Sequence, residues 1–413
     1  MHMNVITGTG LPPADHALEV VERKGAGHPD TLADGVAEAV SRAYSRYCLD
    51  EFGAILHHNA DKTALLGGAA DVRFGHGELT APITALVNGR FTAALGDEPI
   101  PVEAIIEAAV QDYLADALPR LDVTRDLVLR PRVTQASSPG AVLGETDAQQ
   151  AGRRFWFAPR SLDDLAERAR LFANDTSAGV GYAPSGIAEQ VAIAVEAELT
   201  DSQQAGPQPW LGTDIKIMVV RHGNQVHVTA CVPQIAEHTP DLSTYVGRRA
   251  RLRELIAEIA QETAPHCVIE AAVNTRDNDE RQELYLTAIG SSLESGDEGV
   301  VGRGNRTNGV ISMLRPWSAE GVSGKNPVYH VGKLYNLAAQ QAAERLHAET
   351  GRTVAVALVS QSGRDLDDPW QTVVQTSGEE PLSEPLVRKV IAEVLAGLDS
   401  LRARLLAGDL ATA

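Results

Sequence analysis

The sequence predicts an α+β fold. Short β-type runs gather in groups, the helical runs between them are long and amphipathic, and strict strand–helix alternation is missing. In chain order, Ala17–Arg23 reads as the first strand and Thr31–Phe52 as the first helix. In that helix Leu32, Val36, Val40, Ala43 and Tyr47 recur at three- and four-residue steps, which gives one face to bury. Ala54–His58, Thr63–Leu66 and Thr84–Thr92 read as strands, Val102–Ala117 as a helix and Asp126–Val133 as a strand. A helix over Ser185–Leu199 precedes strands at Asp214–Arg221 and Gln225–Val232. Then come a helix at Leu242–Glu262, strands at Cys267–Asn274 and Glu283–Ile289, a helix at Lys325–Glu349 and a strand at Thr353–Ser360. The last helix, Glu384–Leu406, repeats the apolar stripe with Leu386, Val390, Val394, Leu398 and Leu401. Ser137–Gln150 and Ser202–Pro209 carry turn chemistry and read as surface loops.

The bulk properties narrow the class. A chain of 413 residues allows two or three domains, and 44% hydrophobic with 22% charged residues is ordinary for a soluble globular protein. The net charge of −19 repels nucleic acid and anionic membranes, so neither is an expected partner. Cys48, Cys231 and Cys267 have no ligand-like spacing, which points to a reducing cytoplasm rather than zinc or a disulfide framework. No secretory signal or membrane-spanning run is legible. Arg248, Arg249, Arg251 and Arg253 read as a solvated helix face.

The densest chemistry lies in Gly296–Asn336. Asp297 and Glu298 lead into Gly302-Arg303-Gly304-Asn305-Arg306, and a second glycine-rich turn presents Lys325 ahead of Lys333. Glycines admit close backbone approach, and clustered Arg and Lys suit a polyanion. A carboxylate beside those cations suggests a magnesium-bound nucleotide polyphosphate. Neither GVSGK nor GRGNRTNG meets the P-loop or dinucleotide fingerprint. Elsewhere, His28-Pro29-Asp30 has the form of a helix start, and Asn174-Asp175 that of an Asx turn. Alternation puts Asp214 and Lys216 on one strand face, and puts the adjacent His57 and His58 on opposite faces.

These pieces resemble the archaeal-type S-adenosylmethionine synthetases. The resemblance rests on residues 20–47 (VVERKGAGHPDTLADGVAEAVSRAYSRY), 55–68 (ILHHNADKTALLGG), 172–184 (FANDTSAGVGYAP), 213–220 (TDIKIMVV) and Gly296–Asn336, in the family's order. It implies three similar α+β subdomains around a pseudo-threefold axis, with sheets facing a dimer interface. Approximate bounds are 1–135, 136–265 and 266–413, with interleaving. It also implies ATP and L-methionine as substrates, a homodimer or dimer-based oligomer, Mg2+ as cofactor and K+ as an open second. By the same resemblance His28 assists triphosphate departure and Asp30 binds magnesium. Lys216, Arg303 and Lys325 meet the phosphate chain, and Asp175 and Asp297 serve adenosine and methionine. His58, Asp61, Asp214, Arg306, His330 and Lys333 line or support the site.

The chain also departs from that pattern. Arg130–Ser137 reads RPRVTQAS where the family carries a loop resembling D-P-R-I-G-Q-G-S, so Thr134 and Ala136 replace glycines. Ala60, Lys62 and Tyr329 stand where Thr, Gln and Ser are usual. A relative with a different acceptor or nucleotide, or a nucleotide-binding protein without synthetase activity, stays open at this point.

Overall fold

The computed structural model describes residues 4–135, 155–165, 170–204 and 208–410. Its architecture is α+β, as the element pattern predicts: seven helices and three larger sheets among the described residues. The Ser137–Gln150 loop, Ala136 and part of Ser202–Pro209 lie outside them.

The helices are α1 (Pro29–Phe52), α2 (Val102–Ala117), α3 (Ile187–Gln204), α4 (Leu242–Thr263), α5 (Val331–Thr350), α6 (Glu384–Ala396) and α7 (Leu398–Ala407). α1 starts where His28 caps it and Pro29 enters the first turn, and it stops at Gly53 in the left-handed region. Its apolar face, including Leu32, Val36, Val40 and Tyr44, is fully buried. The single helix expected over 384–406 is broken at Gly397. The helix expected from Lys325 begins only at Val331, because Asn326-Pro327 disfavours helical backbone ahead of the proline.

One five-stranded sheet runs Val268–Val273, Gln225–Cys231, Lys216–His222, Leu18–Lys24, Ile311–Ser312. It packs against α3 and α4 through Val219, Val228, Val195 and Ile256. A second sheet runs Leu127–Thr134, Ile83–Phe91, Ala64–Leu66, Gly299–Val300, with His58–Asn59 added on Ile83–Phe91, and it shares a core with α1 and α2. The third runs Val5–Thr9, Gln371–Thr376, Val354–Val359, Ala178–Ala183 and is covered by α5 and α6.

Several short strands escape sequence reading. Val5–Thr9, Ala178–Ala183, Gln371–Thr376 and the Ala69–Arg73/His76–Ala81 hairpin are strands, while the expected Glu283–Ile289 strand shrinks to Leu286–Thr287. The glycines of GVGYAP serve packing. A Cβ on Gly179 or Gly181 would come within 2.4 Å of backbone atoms of α5, so only glycine lets that helix lie on the strand. Arg248 and Arg249 are not a solvated face either. Arg248 lies over the Trp210 ring and Arg249 pairs with Asp277 and Asp279, leaving only Arg251 and Arg253 exposed. No helix among the described residues is long and apolar enough to cross a membrane.

Candidate active site

The register of the first sheet builds the first half of the site. Lys24 pairs with Lys216, and Lys216 with Cys231, so two lysines and a thiol form one row across three strands. The Glu22 carboxylate lies 3.5 Å from both lysine ammoniums. Lys24 Nζ donates to Asp30 Oδ2 at 2.9 Å and to the Arg303 carbonyl at 2.7 Å. Asp30 Oδ1 accepts from the Val300 amide at 3.0 Å, and Arg303 Nε stands 4.0 Å from Oδ2. Burial alone would raise the Asp30 carboxyl, but the hydrogen bonds from Lys24 and Val300 outweigh it and hold its pKa below the usual value. It is an ionised oxygen donor.

His28 opens the adjoining cleft. Its Nδ1 accepts from the Asp30 amide at 3.2 Å, which fixes the ring at the start of α1. Burial lowers its pKa, while the Asp214 carboxylate pulls the other way. Asp214 is itself buried, which raises its pKa, and it accepts from the Ser292 amide at 2.8 Å and the Ser292 hydroxyl at 2.5 Å. The same hydroxyl reaches Asp297 at 3.1 Å. His28, Asp214, Lys216, Cys231, Ser292 and Asp297 thus line one open cleft of about 820 Å3.

A second cleft of about 610 Å3 holds three more candidates, Asp61, Asp175 and His330. Asp61, Arg90, Asp175, Trp156, Tyr329 and His330 line it, as does Thr134. Lys325 Nζ lies 3.2 Å from Asp61 and 3.0 Å from Glu320. Burial would raise the Asp61 carboxyl, but Lys325 and Lys62 hold it low. His330 caps α5 through Nδ1, and burial, then Lys325, pushes its pKa down to about 3. Asp175 Oδ1 accepts from the adjacent Thr176 amide at 2.7 Å and Asn174 Oδ1 from the distant Val331 amide at 3.0 Å, so neither makes the Asx turn read from the sequence, which closes on the amide two residues on.

Three candidates sit elsewhere. His58 is fully buried, its Nε2 2.8 Å from the Ser41 hydroxyl and its ring against Tyr44 and Phe91, so it faces neither cleft. Lys333 is fully buried with both Glu38 oxygens at 2.6 Å. Arg306 lies over the Trp317 ring and donates to the Gly302 carbonyl at 3.0 Å.

Sequence reasoning singled out Asp30 but missed Asp34 and Glu38, the carboxylates that hold the cationic loops. Asp30, Asp34 and Glu38 follow one another at four-residue steps on α1, a spacing that places them on one face. Asp34 accepts from the Gly302 amide at 2.7 Å and the Gly304 amide at 3.0 Å. Burial raises its pKa to about 6 despite those amides. Glu38 accepts from the Gly324 amide at 2.9 Å. Lys24 and Glu22 were also missed, since their partners come from strands and loops far along the chain.

Chemically, the first cleft offers cations, one neutral imidazole and buried carboxylates, which suits an anionic leaving group beside a polar acceptor. The carboxylates are hard oxygen donors, and beside them the described lining holds one thiol, Cys231, and one imidazole in each cleft, His28 and His330, rather than a cluster of soft donors. The S-adenosylmethionine synthetase (AdoMet synthetase) family model matches residues 2–150 and 158–409. The chain is 38% identical to an S-adenosylmethionine synthase of Haloarcula marismortui, over all of this chain and 99% of that protein. It is 40% identical to one from Pyrobaculum neutrophilum, covering 87% of this chain and 86% of the other, and 37% identical to one from Hyperthermus butylicus, covering 93% and 90%.

Proposed function

The chain belongs to the S-adenosylmethionine synthetase family, and we propose that it makes S-adenosylmethionine from ATP and L-methionine. The methionine sulfur attacks the ribose 5′ carbon. A C–S bond forms as the C–O bond breaks, and the electron pair leaves on the triphosphate. A thioether has no proton to lose, so no general base is needed for this step. The triphosphate is then hydrolysed by water to pyrophosphate and phosphate.

The barrier lies in the charge that builds on the leaving oxygen, and fixed cations lower it. In this reading Lys216 and Arg303 do that work on one side and Lys325 on the other. With Nδ1 of His28 accepting from the Asp30 amide, the neutral ring carries its proton on Nε2 and can donate it as a hydrogen bond to the departing oxygen. The ionised Asp30 fits a hard cation: Mg2+ takes one or two carboxylates and completes its shell with phosphate oxygens and water. Bound there, Mg2+ would neutralise charge on the phosphates. Asp61 beside Lys325 offers a second ionised carboxylate, and a K+ requirement belongs to the same reading.

The candidates occupy two clefts of one chain, which supports a homodimer or dimer-based oligomer whose sites join the first cleft of one copy to the second cleft of another. The three cysteines are free thiols, which suits a reducing cytoplasm. The observation that carries the reading is the convergence of His28, Asp214, Lys216 and Asp297 on one cleft in a chain of this family. Incubation with ATP, Mg2+ and methionine, followed by mass spectrometry, should yield S-adenosylmethionine, pyrophosphate and phosphate. ATP consumption at the same rate without methionine, and without a sulfonium product, would overturn it in favour of a plain phosphohydrolase. No ATP turnover at all would leave only nucleotide binding.

A further inference from the structure

We propose that Asp34 is the positioning residue that aims Arg303 at the polyphosphate, acting through the backbone rather than by touching any ligand; this rests on the phosphate role of Arg303 given above. The side chain of Arg303 is 73% exposed, and its carboxylate neighbour Asp30 stands 4.0 Å away. Contacts of the guanidinium therefore do little to fix it. Its peptide groups, in contrast, are held on every side. The Arg303 amide donates to the Val300 carbonyl at 3.2 Å, and its carbonyl accepts from Lys24 at 2.7 Å. The amides just before and just after it, Gly302 and Gly304, both end on the Asp34 carboxylate.

Asp34 is only 3% exposed and gives one oxygen to each amide, so its carboxylate is committed to the turn that carries Arg303. Gly302 has a φ of +86°, which glycine adopts without strain but does not fix by itself, so an external tie narrows the freedom of the turn. A carboxylate bridging two amides supplies that tie and is stronger than a neutral acceptor would be. Glu38, one helical turn further on, repeats the device at Gly324, next to Lys325. The carboxylate face of α1 thus sets the backbone of both cationic loops from a single rigid element, which is the arrangement that keeps a charge-stabilising group in register.

The test is a double-mutant cycle between Asp34→Asn and Arg303→Ala, read in ATP and methionine kinetics. An asparagine keeps one acceptor and turns an NH2 group toward the other amide, so the turn loosens. Asp34→Asn should lower kcat/KM for ATP about tenfold or more, with the KM for methionine held within about twofold. In the Arg303→Ala background, Asp34→Asn should change activity by no more than about twofold, because the group it aims is gone. Asp34→Ser removes the charge without facing an amide donor and carries the same test if the asparagine variant does not fold. A full multiplicative loss in the double mutant, or a lowered Tm with unchanged ATP kinetics, would mark Asp34 as structural only and overturn the proposal. Unchanged kinetics in Arg303→Ala alone would instead sink the phosphate reading, and the proposal with it.

Discussion

Lys24 and Lys216 stand directly opposite each other on antiparallel strands, with one oxygen of Glu22 3.5 Å from each ammonium. Like charges opposite each other weaken a sheet. Here one carboxylate is shared between them and Asp30 takes up the Lys24 charge, while Lys216 stays 40% exposed at the cleft. The pair concentrates positive potential where the proposed triphosphate departs, inside a chain of net charge −19.

Lys216→Ala should therefore separate catalysis from stability. We expect kcat to fall about 100-fold or more, the scale for losing a donor at a developing oxyanion. The Tm should hold or rise slightly, since a repulsive neighbour is removed. Steady-state assays and thermal melts on the same preparation check both halves.

Asp30→Asn should raise the Mg2+ concentration needed for half-maximal activity more than it changes methionine affinity. A neutral amide is a weaker ligand for a hard cation, and Lys24 would lose its ionic partner in the same change. An unchanged midpoint in a Mg2+ titration would remove Asp30 from the metal site.

Arg303→Ala and Lys325→Ala should complement each other in trans. The Arg303 loop is tied to Asp34 of α1 and the Lys325 loop to Glu38, about 6 Å further along the helix axis at 1.5 Å per residue. Each homodimer should be nearly inactive, whereas unfolding and refolding the two together should restore up to about a quarter of the parent activity, one intact site in each heterodimer. No recovery would place both cations in a site made by a single chain.

Lys333→Ala should cost about 3–5 kcal/mol of stability, because it leaves Glu38 charged, buried and without its cation. Lys333 reaches no cleft, so any loss of activity should track the loss of folded protein. Chemical denaturation reads the first effect, and activity per folded molecule the second.

His58 should make the protein sensitive to acid. Burial holds its folded pKa near 3, below the ordinary 6.5, so the unfolded chain binds its proton first. Its contribution is complete above pH 6.5 and drains away as pH falls toward 3. His58→Gln, which keeps polar contacts and does not titrate, should lose less stability than the parent between pH 6.5 and 4. The opposite slope from Glu294, whose pKa burial raises to about 7, is common to both proteins and cancels in the difference.

What the sequence determined by itself was local. The caps, proline and apolar stripe of α1 set that helix, and the residue types of Gly296–Asn336 pointed to the polyanion site proposed above. Both are written in neighbouring residues, because helix periodicity and turn chemistry act over a few positions. Short strands such as Ala178–Ala183 and Gln371–Thr376 were not legible, since their partners, rather than their own six residues, stabilise them. The tertiary structure alone decided the rest. It set the register that puts Lys24 beside Lys216, the burial that turned His58 and Lys333 inward, and the division of the candidate residues between two clefts. It also gave Asp34 and Glu38 their task, because a carboxylate on a helix face becomes a clamp only when distant backbone amides are brought onto it and water is driven out.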